Sequence, residues 1–172
     1  MIDEIRAAAQ QYQQRWDACK KTLNDSVFFD SLVPNSVGWK VASTADFDVV
    51  VKELRTYCDR VVHVWLNERW IAKCVLREPL TGTIRIVKLM QVRPGSTDAL
   101  GLDHVDFYTD KTPEQVGEIL AKEDCKTSVE ANQSHHKWTS IWFDGIEAKI
   151  KDYTVLDIEA EDLGEISAAM KS

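Results

Sequence analysis

The stretch that decides the fold is Leu102-Asp103-His104-Val105-Asp106-Phe107-Tyr108, a strand-like run that leads directly into a helix start. The start is Thr112-Pro113-Glu114-Gln115, which offers an N-cap, a proline at the first helical position and a capping-box glutamine. An earlier stretch, 37–58, has the same order of strand, cap at Ser43 or Thr44, and amphipathic helix. Three further strand-like runs follow each helix, at 61–66, 70–76 and 83–92 and at 127–131, 138–143 and 146–155. The sequence therefore predicts two successive βαβββ modules.

Aligning the two strand–helix units places Gly38 of the first opposite His104 of the second. Because alternate side chains of a strand face opposite sides of the sheet, Trp39 and Val105 are expected to face the helices. The side chains predicted for the other face are those of Gly38, Lys40, Ile84, Ile86, Lys88, Met90, His104, Asp106, Tyr108, Glu147, Lys149, Lys151 and Tyr153.

Composition excludes several classes of protein. The chain has 172 residues, of which 44% are hydrophobic and 28% charged, and its formal net charge is −7. These values are typical of a globular protein and argue against a nucleic-acid or anionic-membrane partner. No apolar run reaches the length of about 20 residues that a membrane span needs, and the N-terminus lacks a signal-peptide pattern. The four cysteines form no CxxC pair, which favours buried thiols and a cytoplasmic location.

The ends of the chain read as helices. Residues 2–23 form an amphipathic pattern whose stripe includes Tyr12 and Trp16, and it is expected to pack on the main domain; the alternative is a helix that binds a partner protein. The predicted organisation is an N-terminal helical extension (1–34), two modules (36–95 and 99–156) and a C-terminal helix (157–172). The strand tryptophans are expected to pack in the core or on a face of the sheet, although Trp65, Trp70 and Trp142 could line a pocket or form a homodimer contact.

Paired βαβββ units with the run Leu102–Phe107 opening the second half resemble the vicinal oxygen chelate superfamily, which includes glyoxalase I and extradiol dioxygenases. The chain looks most similar to the YecM-like proteins, through Leu76-Arg77-Glu78-Pro79, Arg93-Pro94-Gly95, Gly101–Asp106 and Asp144-Gly145. The resemblance implies an α+β fold in which the two modules form a cupped mixed sheet, flanked by the N-terminal and C-terminal helices. It also implies one divalent metal, such as Fe, Mn, Ni or Zn, held in the cup by the first and last strands of each half.

The residues depart from that metal pattern. His104 matches a ligand, but Gly38 offers no ligand atom and Lys88 falls where an acid is expected. On the last strand Glu147 could serve, although counting from the turn glycines Gly82 and Gly145 places Lys151 opposite Lys88. The predicted metal ligands are therefore His104 and Glu147, helped only by Asp106, Asp152 or His136 from displaced positions. His104 is also the candidate catalytic residue, as a metal-free acid or base. The pair His135-His136 is read as a solvated loop.

Lysines are unusually frequent on the predicted cup face of an otherwise acidic protein. The residues predicted to bind a small anionic ligand are Lys40, Lys88, Asp106, Tyr108, Lys149 and Lys151. Internal pairing, such as Lys40 with Asp106 or Lys149 and Lys151 with Glu147, would satisfy the same charges.

Three functions follow as hypotheses. The first is a small-molecule-binding protein with a degenerate metal site and no resident cofactor. The second is a metal-dependent lyase, isomerase or dioxygenase using His104 and Glu147. The third is an interaction protein acting through the N-terminal helix.

Overall fold

The computed structural model describes residues 1–66, 69–93, 95–123, 126–131, 137–143 and 145–153. Four α-helices are present in this part of the chain: α1 (Ile2–Cys19), α2 (Ser26–Ser31), α3 (Thr44–Leu54) and α4 (Pro113–Leu120). The strands of the first half are β1 (Val33–Val41), β2 (Cys58–Leu66), β3 (Arg69–Leu76) and β4 (Ile86–Gln91). Those of the second half are β5 (Gly101–Tyr108), β6 (Lys126–Ala131), β7 (Lys137–Phe143) and β8 (Ile146–Lys151). Short 3₁₀ turns at Lys20–Thr22 and Arg55–Tyr57 follow α1 and α3.

All eight strands form one mixed sheet in the order β2-β3-β4-β1-β5-β8-β7-β6. In each half the first strand pairs in parallel with the last, β1 with β4 and β5 with β8. The two halves meet at the antiparallel pair β1–β5, where Gly38 lies opposite His104. The predicted α+β fold of two βαβββ modules is therefore confirmed. The predicted C-terminal helix, 157–172, lies outside the described residues.

The helices begin where the local sequence predicts. The Thr112 side chain accepts from the backbone of Gln115, and the Gln115 side chain accepts from the Thr112 backbone, which completes the capping box of α4. Ser43 caps α3 by accepting from the Asp46 backbone. Helix α1 ends at Cys19, one turn earlier than the periodicity indicates.

Strand β1 begins at Val33, earlier than the predicted start at Val37, and it includes Pro34. A proline is tolerated here because a register shift between Pro34 and Ser36 interrupts the pairing with β5, while β4 pairs only from Ser36 onward. The carbonyl of Pro34 is satisfied by the Thr83 hydroxyl.

One main core fills the space between the sheet and the helices. It includes Val37 and Trp39 from β1, Val105 and Phe107 from β5, and the aromatic stripe of α1. The ring of Trp16 lies 4.7 Å from that of Phe107, centroid to centroid. The stripe of α1 is therefore buried against the sheet, as predicted, and the alternative of a partner-binding stripe is not supported. Ile84, predicted for the opposite face, also belongs to this core.

Cys58 and Cys74 are buried and Cys19 is half-buried, and no disulfide joins these three described cysteines; Cys125 lies outside the described residues. Across the described residues, no helix combines the length and apolar character that crossing a bilayer requires.

Replacing Trp16 with alanine should lower the free energy of unfolding by about 3–5 kcal/mol, because a fully buried indole is lost from the core. Val27 is 81% exposed, so Val27→Ala is a matched control expected to change stability by less than about 0.5 kcal/mol. Urea unfolding followed by circular dichroism measures both. Equal stabilities would show that α1 is not part of the core.

Candidate functional site

The face of the sheet opposite the helices, here called the cup face, carries the charged side chains of the four central strands. It is formed by Ser36, Gly38 and Lys40 of β1, Lys88 of β4, His104 and Asp106 of β5, and Glu147, Lys149 and Lys151 of β8. This follows from strand alternation, since the residues between them, such as Val37, Val87, Val105 and Ala148, belong to the helix-side core.

At the centre of the cup face, the carboxylate of Asp106 is enclosed by two ammonium groups. Lys88 contacts Oδ2 directly, and Nζ of Lys151 lies 2.6 Å from Oδ1. The Ser36 hydroxyl donates to Oδ2 at 2.5 Å. The side chains of Asp106, Lys151 and Lys88 are only 1%, 8% and 13% exposed. A charge at such depth is tolerated only when it is paired.

The pKa values of this cluster reflect both burial and charge. Burial alone would raise the pKa of Asp106, but Lys151 and Lys88 hold it well below its usual range. Burial lowers the pKa of Lys88 to about 7, with Lys151 adding to the effect and Asp106 opposing it. Two lysines share one ionised carboxylate, so the cluster has an excess of positive charge whenever Lys88 is protonated.

His104 belongs to a second chain of contacts. Its Nδ1 lies 2.7 Å from Oδ2 of Asp103, whose Oδ1 lies 2.6 Å from Nζ of Lys40, and Lys40 also reaches Asp98 at 2.8 Å. Burial and the charge of Lys88 lower the pKa of His104 to about 3. The imidazole is therefore neutral at pH 7, and we assign its proton to Nδ1, which donates to Asp103.

The other ring nitrogen of His104 faces the Asp106 cluster. Nε2 lies 3.8 Å from Oδ2 of Asp106. It is buried and has no hydrogen-bond partner among the described residues. A buried lone pair without a donor is costly, so this atom marks a place where a ligand or water would be stabilised.

Gly38 makes room for the His104 ring. A Cβ atom added at Gly38 would lie 2.4 Å from Cε1 of His104, far inside van der Waals contact. The ring thus occupies the space that a side chain on β1 would need. A second histidine ligand could not be accommodated at position 38 without moving the first.

Strand register also corrects one expected equivalence. Gly38 is paired with Lys88, and His104 is paired with Glu147. Lys88 therefore corresponds to Glu147, and the correspondence with Lys151 expected from the turn glycines is wrong. Turn lengths differ between the halves, so counting from a turn does not preserve register.

The residues do not fit a divalent metal. The four corresponding positions are those of Gly38, Lys88, His104 and Glu147. Gly38 has no ligand atom, and Lys88 carries a positive charge that repels a dication. The described residues contain no group of three or more His, Cys, Asp or Glu side chains placed to hold a metal ion. His136, one of the displaced ligands considered above, lies outside the described residues, as does His135.

The second half of the cup face adds an aromatic and cationic surface. Nζ of Lys149 lies 5.0 Å from the ring centroid of Trp138, and Nζ of Lys151 lies 5.6 Å from it. Lys151 also lies 5.5 Å from the ring centroid of Tyr153. The indole Nε1 of Trp138 is buried without a hydrogen-bond partner in the described part of the chain. Among the described residues, this surface therefore brings two ammonium groups and an indole N–H close together.

Ion pairing differs from the expected scheme. Lys40 pairs with Asp98 and Asp103, not with Asp106, and Lys151 pairs with Asp106 instead of Glu147. Only the pairing of Lys149 with Glu147, at 3.4 Å, follows the expectation. Tyr108 lies at the exposed end of β5.

Three site residues were missed by sequence reasoning: Ser36, Asp103 and Trp138. Asp103 faces His104 because a β-bulge interrupts the register, with Gly38 paired to His104 but Trp39 paired to Leu102. Nothing in the sequence marks this bulge. Alternation along 138–142 could have placed Trp138 on the cup face.

A cavity of about 480 Å³ lies away from this cluster, beside α3 and the end of β1. Its lining is mainly apolar, including Val49, Val50 and Leu100, and it contains the carboxylates Glu4 and Asp46. Lys40, the one basic side chain among its lining residues, is already shared by two aspartates. The cavity therefore offers an anion no surplus positive charge, whereas the cup face does.

Comparison of the sequence with protein-family models finds no match, and comparison with curated proteins finds none either. Among solved structures, a structural-genomics protein designated EC4020 has a TM-score of 0.67 and 16% identity, covering 93% of both chains. Methylmalonyl-CoA epimerase from Mycobacterium tuberculosis has a TM-score of 0.52 and 12% identity, covering 72% of this chain and 90% of that chain.

A further methylmalonyl-CoA epimerase has a TM-score of 0.53 and 13% identity, covering 70% of this chain and 94% of that chain. Methylmalonyl-CoA epimerase is a vicinal oxygen chelate protein. The likeness confirms a fold of the vicinal oxygen chelate type. Because the sequence identities are so low, it is evidence for the fold alone.

Introducing a methyl group with Gly38→Ala should destabilise the protein by about 1–3 kcal/mol, because the new Cβ overlaps the His104 ring. In a His104→Ala background the same change should cost much less, since the overlapping ring is gone. A double-mutant cycle by urea unfolding measures the coupling. Equal costs in both backgrounds would contradict the close approach.

Stability should depend on pH through Lys88. Its pKa is about 7 in the folded protein against an ordinary 10.5, so the unfolded chain binds more protons between these values. The free energy of unfolding contributed by Lys88 therefore rises with pH across that window, by at most about 1.4 kcal/mol per pH unit. The free energy of unfolding of the wild type minus that of Lys88→Met should therefore become more positive from pH 7 to pH 8 and pH 9. A constant difference would show an ordinary lysine.

Proposed function

We propose that this protein binds a small anionic molecule on the cup face without a divalent metal. The observation that supports this most directly is the pairing of one buried carboxylate, Asp106, with both Lys88 and Lys151. Positive charge in a poorly hydrated site attracts an anion more strongly than the same charge in water. An ammonium group has three donors, so each lysine keeps donors after its contact with Asp106.

The neighbouring surface favours a carboxylate or similar oxyanion attached to a flat apolar group. The Trp138 indole supplies an N–H that has no partner among the described residues, and Lys149 lies over its ring. A ligand oxygen could accept from the indole and an ammonium, while its apolar part packs against the aromatic rings. The net formal charge of −7 makes such a local excess of lysines harder to explain as general surface charge.

Two of the structural neighbours are named for an enzyme of methylmalonyl-CoA, itself an anionic small molecule. Those names support the choice of a small anion as a class of ligand for this fold. They are not evidence that this protein catalyses the same reaction, because Gly38 and Lys88 are not metal ligands.

Several narrower statements stay predictions. They are a closer likeness to YecM-like proteins, a cytoplasmic location, homodimer formation and the roles of the individual cup residues. The metal-dependent enzyme using His104 and Glu147 also stays a prediction, and metal uptake by the wild-type protein tests it directly.

Binding is best tested with a panel of sodium salts: acetate, benzoate, malonate and inorganic phosphate. We expect benzoate to shift the indole N–H signal of Trp138 in ¹H–¹⁵N NMR spectra, and to bind more tightly than acetate because its ring adds apolar contact. Lys149→Met should weaken benzoate binding about tenfold or more, since a charge-assisted hydrogen bond is lost.

The matched control is Lys137→Met, on the strand that also carries Trp138. Lys137 is exposed and pairs with Glu114 away from the cup face, so its loss should leave benzoate binding unchanged. The proposal fails if no anion of the panel perturbs the Trp138 signal, or if the two lysine variants weaken binding equally.

A further inference from the structure

The two halves of the sheet place four side chains in corresponding positions at its centre. Gly38 pairs with Lys88 in the first half, and His104 pairs with Glu147 in the second. The halves meet at the pair Gly38 and His104. Lys88 therefore corresponds to Glu147. It carries a positive charge at a position where the other half of the sheet has a negative charge.

Two acceptors lie close together beside that charge, and one of them has no donor among the described residues. Lys88 contacts Oδ2 of Asp106, and Nε2 of His104 lies 3.8 Å from the same oxygen. Nε2 is buried without a partner among the described residues. A neutral imidazole nitrogen and a carboxylate oxygen are acceptors that a cation would normally hold together.

We propose that the Lys88 ammonium takes the place of a bound cation in this site: it supplies the positive charge beside the Asp106 carboxylate and the His104 imidazole, and it meets the oxygen of a ligand. The contact with the ligand oxygen rests on the proposed function; the replacement of a cation does not. A lysine side chain has fewer free sites than a metal ion, but the group that carries the charge cannot leave the protein.

The proposal predicts a gain of metal binding when the charge of Lys88 is reversed. Lys88→Glu places a third acceptor beside Asp106 and His104, which is enough for a three-ligand zinc site. Each protein is titrated with ZnCl₂ by isothermal calorimetry, in a buffer that contains no carboxylate and no phosphate. We expect Lys88→Glu to bind one Zn²⁺ per chain at least 100-fold more tightly than the wild type.

Two controls locate the gained site. Lys88→Met removes the charge without adding a ligand, so it should not gain stoichiometric Zn²⁺ binding. Adding His104→Ala to Lys88→Glu should weaken Zn²⁺ binding at least tenfold. The proposal is overturned if the wild type already binds one Zn²⁺ per chain, or if folded Lys88→Glu gains no binding.

Lys88→Glu leaves two carboxylates together when no metal is bound, so it is refolded both with and without Zn²⁺; folding only with Zn²⁺ also supports the proposal. A second variant tests the idea if Lys88→Glu does not fold at all. Lys88→Ala leaves space for a free cation, and n-propylammonium chloride should raise its melting temperature by several degrees more than it raises that of the wild type. Equal shifts would overturn the proposal.

These experiments contain none of the carboxylates of the panel and no phosphate. Metal uptake can therefore succeed while benzoate fails to bind, which would reject the proposed function alone. The wild type can equally bind benzoate while Lys88→Glu takes up no Zn²⁺. That result would reject only the replacement of a cation by Lys88.

Discussion

The carboxylate of Asp106 is ionised at almost complete burial, and the rest of the cup face is arranged around that constraint. Charge at this depth requires compensation, which comes from Lys88 on β4 and Lys151 on β8. Ser36 on β1 adds a hydrogen bond. The four central strands, drawn from both modules, thus meet at one carboxylate. Such a cluster adds little net stability, because desolvation offsets the attraction, but it penalises any arrangement of the modules that would leave a charge unpaired.

A second consequence concerns the vicinal oxygen chelate fold itself. In this structure the acceptors of Asp106 and His104 lie close together at the centre of the cup face, where a positive charge meets Asp106. In this protein the charge is part of the chain, while the close approach of the His104 ring to Gly38 removes a position from which a ligand could come. The Asp103–Lys40 contacts hold the imidazole in one tautomer. With the proposed role of Lys88, the fold would be kept with an ammonium group at its centre.

Much of the fold could be predicted because its signals are local. The capping box at Thr112 and the alternation around His104 depend on residues a few positions apart, and both are confirmed. The start of β1 was predicted too late, because the tolerance of Pro34 in a strand depends on which neighbours pair with it across the sheet. The counterpart of Lys88 was misjudged for a related reason, since register is set by hydrogen bonds between strands and not by counting from a turn.

By itself, the sequence determined two repeated modules, the face of the sheet toward which Lys40, Lys88, His104 and Asp106 point, and the surplus of lysines on one face. Those properties follow from the period of a strand, which every residue inherits from its backbone. The tertiary structure alone decided that Asp106, and not Glu147, receives Lys151, and that a bulge turns Asp103 toward His104. Partners that lie far apart in the chain are selected by strand register and bulges, which no local pattern encodes.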